Sequence, residues 1–216
     1  MTDSSRELTT AAEELCRVAH KVAARGWVPA TSGNFSVRNI ATGHVLVTAS
    51  GLDKSQLTPA GLLEVAFDAS GSGDFSVLAG NGKPSAETRV HGVLYDAFPQ
   101  AGAIVHGHSI WNTLLSNRLV HDGAVTLTGY ELLKALSGVT THQHIERIPV
   151  VENSQDYAKL SREVARAVAA NPETHGVLLA GHGLYTWGQS AAEAWRHMEA
   201  LEFLFECEVR RIASGW

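Results

Sequence analysis

Two apolar runs in this chain each end in histidine. In "AGAIVHGHSI" (101–110), Ala103, Ile104 and Val105 lead into His106-Gly107-His108; in "GVLLAGHG" (176–183) the run leads into Gly181-His182-Gly183. Side chains at i and i+2 of a strand point to the same face, so His106 and His108 can converge on one ion. Neutral imidazole is a common ligand for zinc and other divalent transition metals. A third imidazole from another buried strand end matches an open catalytic site, with three protein ligands and a vacant position. Spacing alone leaves open whether the two strand ends meet. For the His106–His108 pair alone, the plain alternative is two histidines independently hydrogen-bonded at a strand end.

Two carboxylates lie near this pattern. Glu87 sits in "GKPSAET" and Glu131 in "LTGYELLKAL", both close to expected helix starts. At such positions glutamate commonly serves as a dipole partner or capping-box member. Two further stretches, "ATSGNFS" and "TASGLDKS", join Ser or Thr, Gly and an amide or amine. Backbone N–H groups at such turns can cradle a dianion, here with Gly33, Asn34, Ser50, Gly51 and Lys54. Ser85, in "KPSAE", adds a hydroxyl at a helix start. Turn chemistry accounts for these stretches as well.

The elements that must position these groups can be read from periodicity. Residues 5–25 carry apolar side chains at helical spacing, with Gly26 as a C-terminal cap. "NFSVRN" and "HVLVTAS" alternate around "IATG" and read as a hairpin. "LLEVAFD" is a strand and "GSGDFSVLAGNGKP" turns with a short strand. "SAETRVHGVLYDAF" is a helix with Ser85 as its N-cap. The strand ending in His108 follows, then a helix over 109–117. "AVTLT" is a strand, "GYELLKAL" a short helix and "IERIPVV" a strand. "DYAKLSREVARAVAA" is a helix, "GVLLAGHG" a buried strand with "LYTWG" as its hairpin partner, and "SAAEAWRHMEALEFLFECEVRRIA" a long C-terminal helix. The expected class is α/β, as one domain over 1–216 with helices on both faces of a sheet. The hairpin pairs favour a mixed or largely antiparallel sheet over a Rossmann arrangement, and "SGNFSVR" is no GxGxxG turn.

Composition narrows the partners. The 216 residues are 44% hydrophobic and 18% charged, ordinary for a soluble globular protein. A net charge of -5 with no basic block argues against nucleic acid. No apolar run approaches a membrane span, and the polar "MTDSSRELTT" is no secretory signal, so the cytoplasm is expected. Cys16 and Cys207 lie in helical patterns without a nearby partner and read as reduced, buried thiols. His20 and His197 also lie in helical patterns and are expected to be dispensable.

The order "TSGNFSVR", "TASGLDKSQL", "KPSAETRVHGVLY", "AIVHGHSIW" and "VLLAGHGLYTWG", closed by an amphipathic helix, resembles the class II aldolase/adducin head family over nearly the whole chain. The resemblance implies a three-layer α/β/α sandwich with a central mixed, mainly antiparallel sheet. It implies one divalent metal per chain, zinc being the expected ion, on His106, His108 and His182. It also implies a small-molecule sugar phosphate as substrate and a homotetramer with sites near subunit interfaces. Retention of all three histidines speaks against the non-catalytic adducin type.

"TASGLDKSQLTP", "LTGYELLKAL" and "IPVVENSQDYAKL" are similar to the family's dehydratase branch. That branch implies metal-dependent loss of water from 5-methylthioribulose 1-phosphate in methionine salvage, giving 2,3-diketo-5-methylthiopentyl 1-phosphate. Glu131 matches the dehydratase acid/base. Glu87 matches the glutamate that aldolases use as ligand and acid/base. Metal-enediolate chemistry also serves a sugar-phosphate aldolase or 4-epimerase, and residue spacing does not separate these outcomes.

Overall fold

Nine strands form one sheet, in the order β4-β3-β2-β1-β5-β9-β8-β7-β6. The computed structural model describes residues 3–40 and 42–215, residues 3–7 by their backbone alone. The strands are β1 (Asn34–Arg38), β2 (Val45–Thr48), β3 (Leu62–Phe67), β4 (Phe75–Ala79) and β5 (Ala103–Gly107), then β6 (Ala124–Leu127), β7 (Glu146–Val151), β8 (Gly176–Leu179) and β9 (Gly183–Gly188). Every neighbouring pair is antiparallel except β7 with β8. The sheet is therefore mixed and mainly antiparallel, and the expected hairpins β1–β2 and β8–β9 are present. The loop residue Ala41 of the first hairpin lies outside the described residues.

Helices cover both faces. α1 (Asp3–Ala24), α3 (Ile110–Leu119) and α5 (Ala191–Ser214) build one core, which includes Leu15, Phe35, Val105, Leu184 and Phe205. α2 (Thr88–Ala97) and α4 (Tyr157–Ala169) build the other, with Val90, Leu94, Ile104, Leu160 and Tyr185. Strand alternation assigns the central residues to their layers. Val105 of β5 enters the first core and Ile104 the second. His106, two residues beyond Ile104, therefore faces the α2 side. β5 is buried along its whole length, which explains its unbroken apolar run.

One helix boundary differs from the sequence reading. α2 starts at Thr88 with Glu87 in the capping position, not at Ser85. The Ser85 hydroxyl instead accepts the N–H of Glu87 in the preceding turn. "ELLKA" forms the expected short helix, of the 3-10 type. Gly129 and Gly138, both at positive φ, flank it. Cys16 is buried as expected, but Cys207 is only half-buried; both are free thiols.

Candidate metal centre

The sheet brings the histidines together. His106 is on β5, His108 lies just past its end, and His182 sits in the turn between β8 and β9. Nitrogen atoms of the three rings, one from each, all lie within 4.8 Å of one another. The Nε2 atoms of His106 and His108 are 2.9 Å apart. Two glycines make this approach possible. A Cβ on Gly183 would stand 2.8 Å from His106 Cε1 and 2.9 Å from His108 Cδ2. Gly33 lies at φ +72°, and a Cβ there would stand 2.6 Å from the His106 carbonyl oxygen.

The donor set fits a divalent metal. His106 Nδ1 is 3.0 Å from the Leu184 carbonyl oxygen and donates its proton there, which leaves the Nε2 lone pair free. His182 Nδ1 lies 3.3 Å from Asn153 Oδ1, and its Nε2 faces Glu87. Burial, followed by the neighbouring imidazoles, pushes His106 well below the ordinary histidine value. Burial likewise pushes His108 down to about 4. Both are therefore neutral at physiological pH, the form a metal requires. Two unprotonated nitrogens face to face repel each other unless a cation or proton lies between them.

Glu87 closes the group. Its Oε1 is 3.0 Å from His182 Nε2 and its Oε2 is 3.8 Å from His106 Nε2. Burial opposes its ionisation, but the hydrogen bond with His182 and the surrounding imidazoles outweigh this and hold the carboxyl well below its usual range. His106 stacks on its cross-strand partner Tyr185, with ring centroids 3.8 Å apart and planes 10° from parallel. A cavity of about 600 Å³ opens beside the group, lined among others by Glu87, His108, His182, Tyr157, Ile110 and Leu114.

The phosphate candidates divide. Lys54 is 2% exposed, and Nζ donates to the carbonyls of Thr31 and Leu52, each at 2.9 Å. It is no solvated surface lysine. Burial lowers its pKa, opposed by Asp53 and Glu87. Ser50 and Ser85 lie on adjoining loops, since Ser50 N–H donates to the Lys83 carbonyl and Ala49 bridges Pro84. Gly51, at φ +77°, makes the turn between Ser50 and Lys54 possible. Asn34 does not match its expectation. Its side-chain amide donates to Glu87 at 2.5 Å and accepts from His91 at 2.5 Å, so it is committed to the metal side.

Glu131 is not brought to the histidines of its own chain. Its side chain is 71% exposed, pairs with Lys134 and lies 3.8 Å from His142. The Lys134 hydrogen bond lowers its pKa, where an acid/base near neutrality would need partial burial to raise it. The 3-10 helix that carries it packs against α5, on the far layer from α2. His197 likewise lies apart from the three histidines. It is 3% exposed and joins Trp187 to Ser137, so it belongs to the structure.

Sequence reasoning missed His91, Ser36 and Tyr95. Glu87, His91 and Tyr95 follow each other at i, i+4 and i+8 from the N-cap into α2, and Asn34 and Ser36 at i and i+2 on β1. That double periodicity was the available signal.

The chain belongs to the class II aldolase and adducin N-terminal domain family, whose model matches residues 13–209. It is 46% identical over 204 residues to a methylthioribulose-1-phosphate dehydratase of Methylococcus capsulatus, covering 94% of this chain and 95% of the relative. It is 45% identical to the enzyme of that name from Serratia proteamaculans, covering 91% and 93%. The solved L-fuculose-1-phosphate aldolase of Thermus thermophilus superposes with a TM-score of 0.72 at 28% identity, covering 98% of this chain and 99% of that one.

Proposed function

We propose that the chain removes water from 5-methylthioribulose 1-phosphate to give 2,3-diketo-5-methylthiopentyl 1-phosphate, as a cytoplasmic step of methionine salvage. The observation that carries the reading is the convergence of His106, His108 and His182 beside Glu87 at an open cavity. The dehydratase names of the relatives support the choice of reaction. The three imidazoles hold one divalent metal, zinc in this reading. Bound there, it supplies Lewis-acid stabilisation of negative charge on the substrate oxygens.

The chain's own groups do the rest. Lys54, with Ser50, Gly51 and Ser85, holds the phosphate through charge-assisted hydrogen bonds. Gly33 keeps the loop close under His106. Ile110 and Leu114, 71% and 51% exposed at the cavity rim, offer an apolar wall for the methylthio group. A carboxylate takes the C3 proton and returns one to the departing C4 oxygen, which leaves as water; the enol then becomes the second ketone. Glu131 performs this transfer in the reading, and its exposed position requires that it act on the site of a second copy. A homotetramer, with sites at subunit contacts, meets that requirement.

A second reading has a specific observation behind it. Among the described residues, Glu87 is the carboxylate that touches the imidazole group, which favours it as acid/base and favours C–C cleavage chemistry. Incubating the metal-replete protein with 5-methylthioribulose 1-phosphate and reading products by mass separates the two. Loss of one water supports dehydration; release of a three-carbon phosphate, from cleavage of the C3–C4 bond, supports the aldolase. Glu131→Gln should lower kcat by roughly 10²–10⁴-fold. Near-wild-type turnover in that variant moves the acid/base role to Glu87.

A further inference from the structure

We propose that His91 is a positioning residue for the reaction: backed by Ser36 and Tyr95, it orients the Asn34 amide and, through it, the Glu87 carboxylate beside the three imidazoles. The proposal rests on the reading that Glu87 works at a metal held there.

The geometry is a zigzag between helix and strand. Glu87, at the N-cap of α2, and His91 and Tyr95 within it form one stripe at spacings of four residues. Asn34 and Ser36 point up from β1 toward it. The Tyr95 hydroxyl lies 2.9 Å from Ser36 Oγ, and Ser36 Oγ lies 2.7 Å from His91 Nδ1. His91 Nε2 lies 2.5 Å from Asn34 Oδ1, and Asn34 Nδ2 lies 2.5 Å from Glu87 Oε2. The chain thus links a tyrosine deep in the α2 layer to a carboxylate at the site.

Donor and acceptor chemistry gives the chain one direction. Glu87 as a carboxylate only accepts, so the Asn34 amide nitrogen must face it and its oxygen must face His91. His91 must then carry its proton on Nε2 and accept at Nδ1. Ser36 must donate to Nδ1, and the Tyr95 hydroxyl must donate to Ser36. Each link leaves the next no alternative. His91 is 0% exposed, and burial pushes it down to about 3, so it is a neutral imidazole and this single tautomer meets both partners. Ser36 is also 0% exposed and Tyr95 4% exposed, so water does not compete for these bonds.

The arrangement has a function that packing alone does not require. An apolar side chain would fill the space between α2 and β1 without fixing an amide. What the polar chain adds is a set direction for Glu87 Oε2, which leaves Oε1 toward His182. Hydrogen-bond partners behind a metal group are typically worth roughly ten- to a hundred-fold in affinity or activity.

The test compares His91→Phe with His91→Gln in cobalt(II)-loaded protein. The Gln amide can still donate from about the place of Nε2; Phe cannot. The proposal expects His91→Phe to alter the visible cobalt spectrum and lower kcat roughly ten- to a hundred-fold with KM little changed, and His91→Gln to recover much of both. It is overturned if His91→Phe keeps the wild-type cobalt spectrum and kcat, or if Gln is no better than Phe in both readouts. Should His91→Phe fail to fold, Ser36→Ala leaves the Asn34–His91 bond but frees the tautomer. A spectral shift and a kcat loss in that variant support the proposal, and wild-type values in both overturn it. The cobalt spectrum keeps the two readings apart. If wild type does not dehydrate the substrate but the spectrum still responds to His91, the dehydratase reading fails and the positioning role stands.

Discussion

Two clusters in this molecule each hold three histidines and a glutamate, and only one is built to take an ion. In the first, His106, His108 and His182 turn ring nitrogens toward a common point beside Glu87. In the second, Glu146 is 1% exposed and is met by His144 at 2.9 Å, His175 Nδ1 at 3.1 Å and the His175 N–H at 2.9 Å. His175 Nε2 then reaches the Ser137 carbonyl at 2.9 Å, while His197 Nδ1 reaches the Trp187 carbonyl at 2.7 Å and its Nε2 the Ser137 N–H at 3.1 Å. His175 and His197 spend both ring nitrogens on protein partners and keep no lone pair for a metal. The second cluster ties β7, the segment before β8, and α5 to the loop at Ser137. The comparison teaches that histidine and carboxylate content does not define a metal site; unspent, convergent lone pairs do.

The largest expected effect breaks the symmetry between the clusters. His182→Ala should abolish stoichiometric metal binding, and turnover with it, while His175→Ala should retain one metal per folded chain. Metal analysis after dialysis checks both. Retention of metal by His182→Ala would remove the first cluster as the ion site. His106→Ala is a poorer test, because His106 is fully buried and stacked on Tyr185. Its removal should also cost about 2 kcal/mol or more of stability through the cavity it leaves.

Next comes Glu146→Ala. It leaves His144 and His175 without their buried partner and should cost about 3–5 kcal/mol in denaturant unfolding. Metal content and kcat of the folded fraction should stay at wild-type level. A matching loss of metal would mean that the two clusters are coupled.

A smaller effect is expected at Lys54, the buried cation of the first region. Lys54→Met should weaken both substrate binding and inhibition by inorganic phosphate by roughly ten- to a hundred-fold, the usual worth of hydrogen bonds to a charged group. Unchanged phosphate inhibition would leave Lys54 as a tie between the Thr31 and Leu52 carbonyls.

The smallest effect is in the pH dependence of stability of the metal-free protein. Burial alone would lower His175, but its bonds and charge interaction with Glu146 outweigh that and raise it. Its contribution is therefore complete below the ordinary value of 6.5 and is lost as pH rises through the higher folded value. Burial likewise opposes ionisation of Glu146, but the His175 and His144 bonds lower it. Its contribution is complete above the ordinary value of 4.5 and is lost as pH falls through the folded value. Between these limits the second cluster stabilises most. His106 and His108 lie below 6.5, so their preference for the neutral form penalises the fold as pH drops under that value. Unfolding of wild type against Glu146→Gln from pH 4 to 9 should show a maximum difference between the two ordinary values. A flat difference would mean that Glu146 and His175 do not form an ion pair.

Much of this was legible in the chain itself, and for a physical reason. Periodicity is local: α1, α4 and α5 follow from apolar spacing, and β5 from an unbroken apolar run that only a strand buried on both faces needs. His106 and His108, two residues apart after such a run, declare a shared direction without any knowledge of the fold. In the structure Asp156 and Ser190 cap α4 and α5, where their side chains accept helix N–H groups.

What only the tertiary structure decided was which lone pairs remain free. His182 is 74 residues beyond His108, and its approach depends on β9 pairing with β5 and on the absence of a Cβ at Gly183. Lys54 could be read as a surface lysine or a phosphate ligand until the structure buried it. Glu131, which the family resemblance offered as an acid/base, came out exposed on the chain's surface, while Asn34, read as a phosphate contact, came out between His91 and Glu87. Sequence periodicity sets which face a side chain takes. Whether its hydrogen-bonding capacity is then spent on a neighbour or left open to a ligand depends on contacts made by distant segments, which only the folded sheet brings into place.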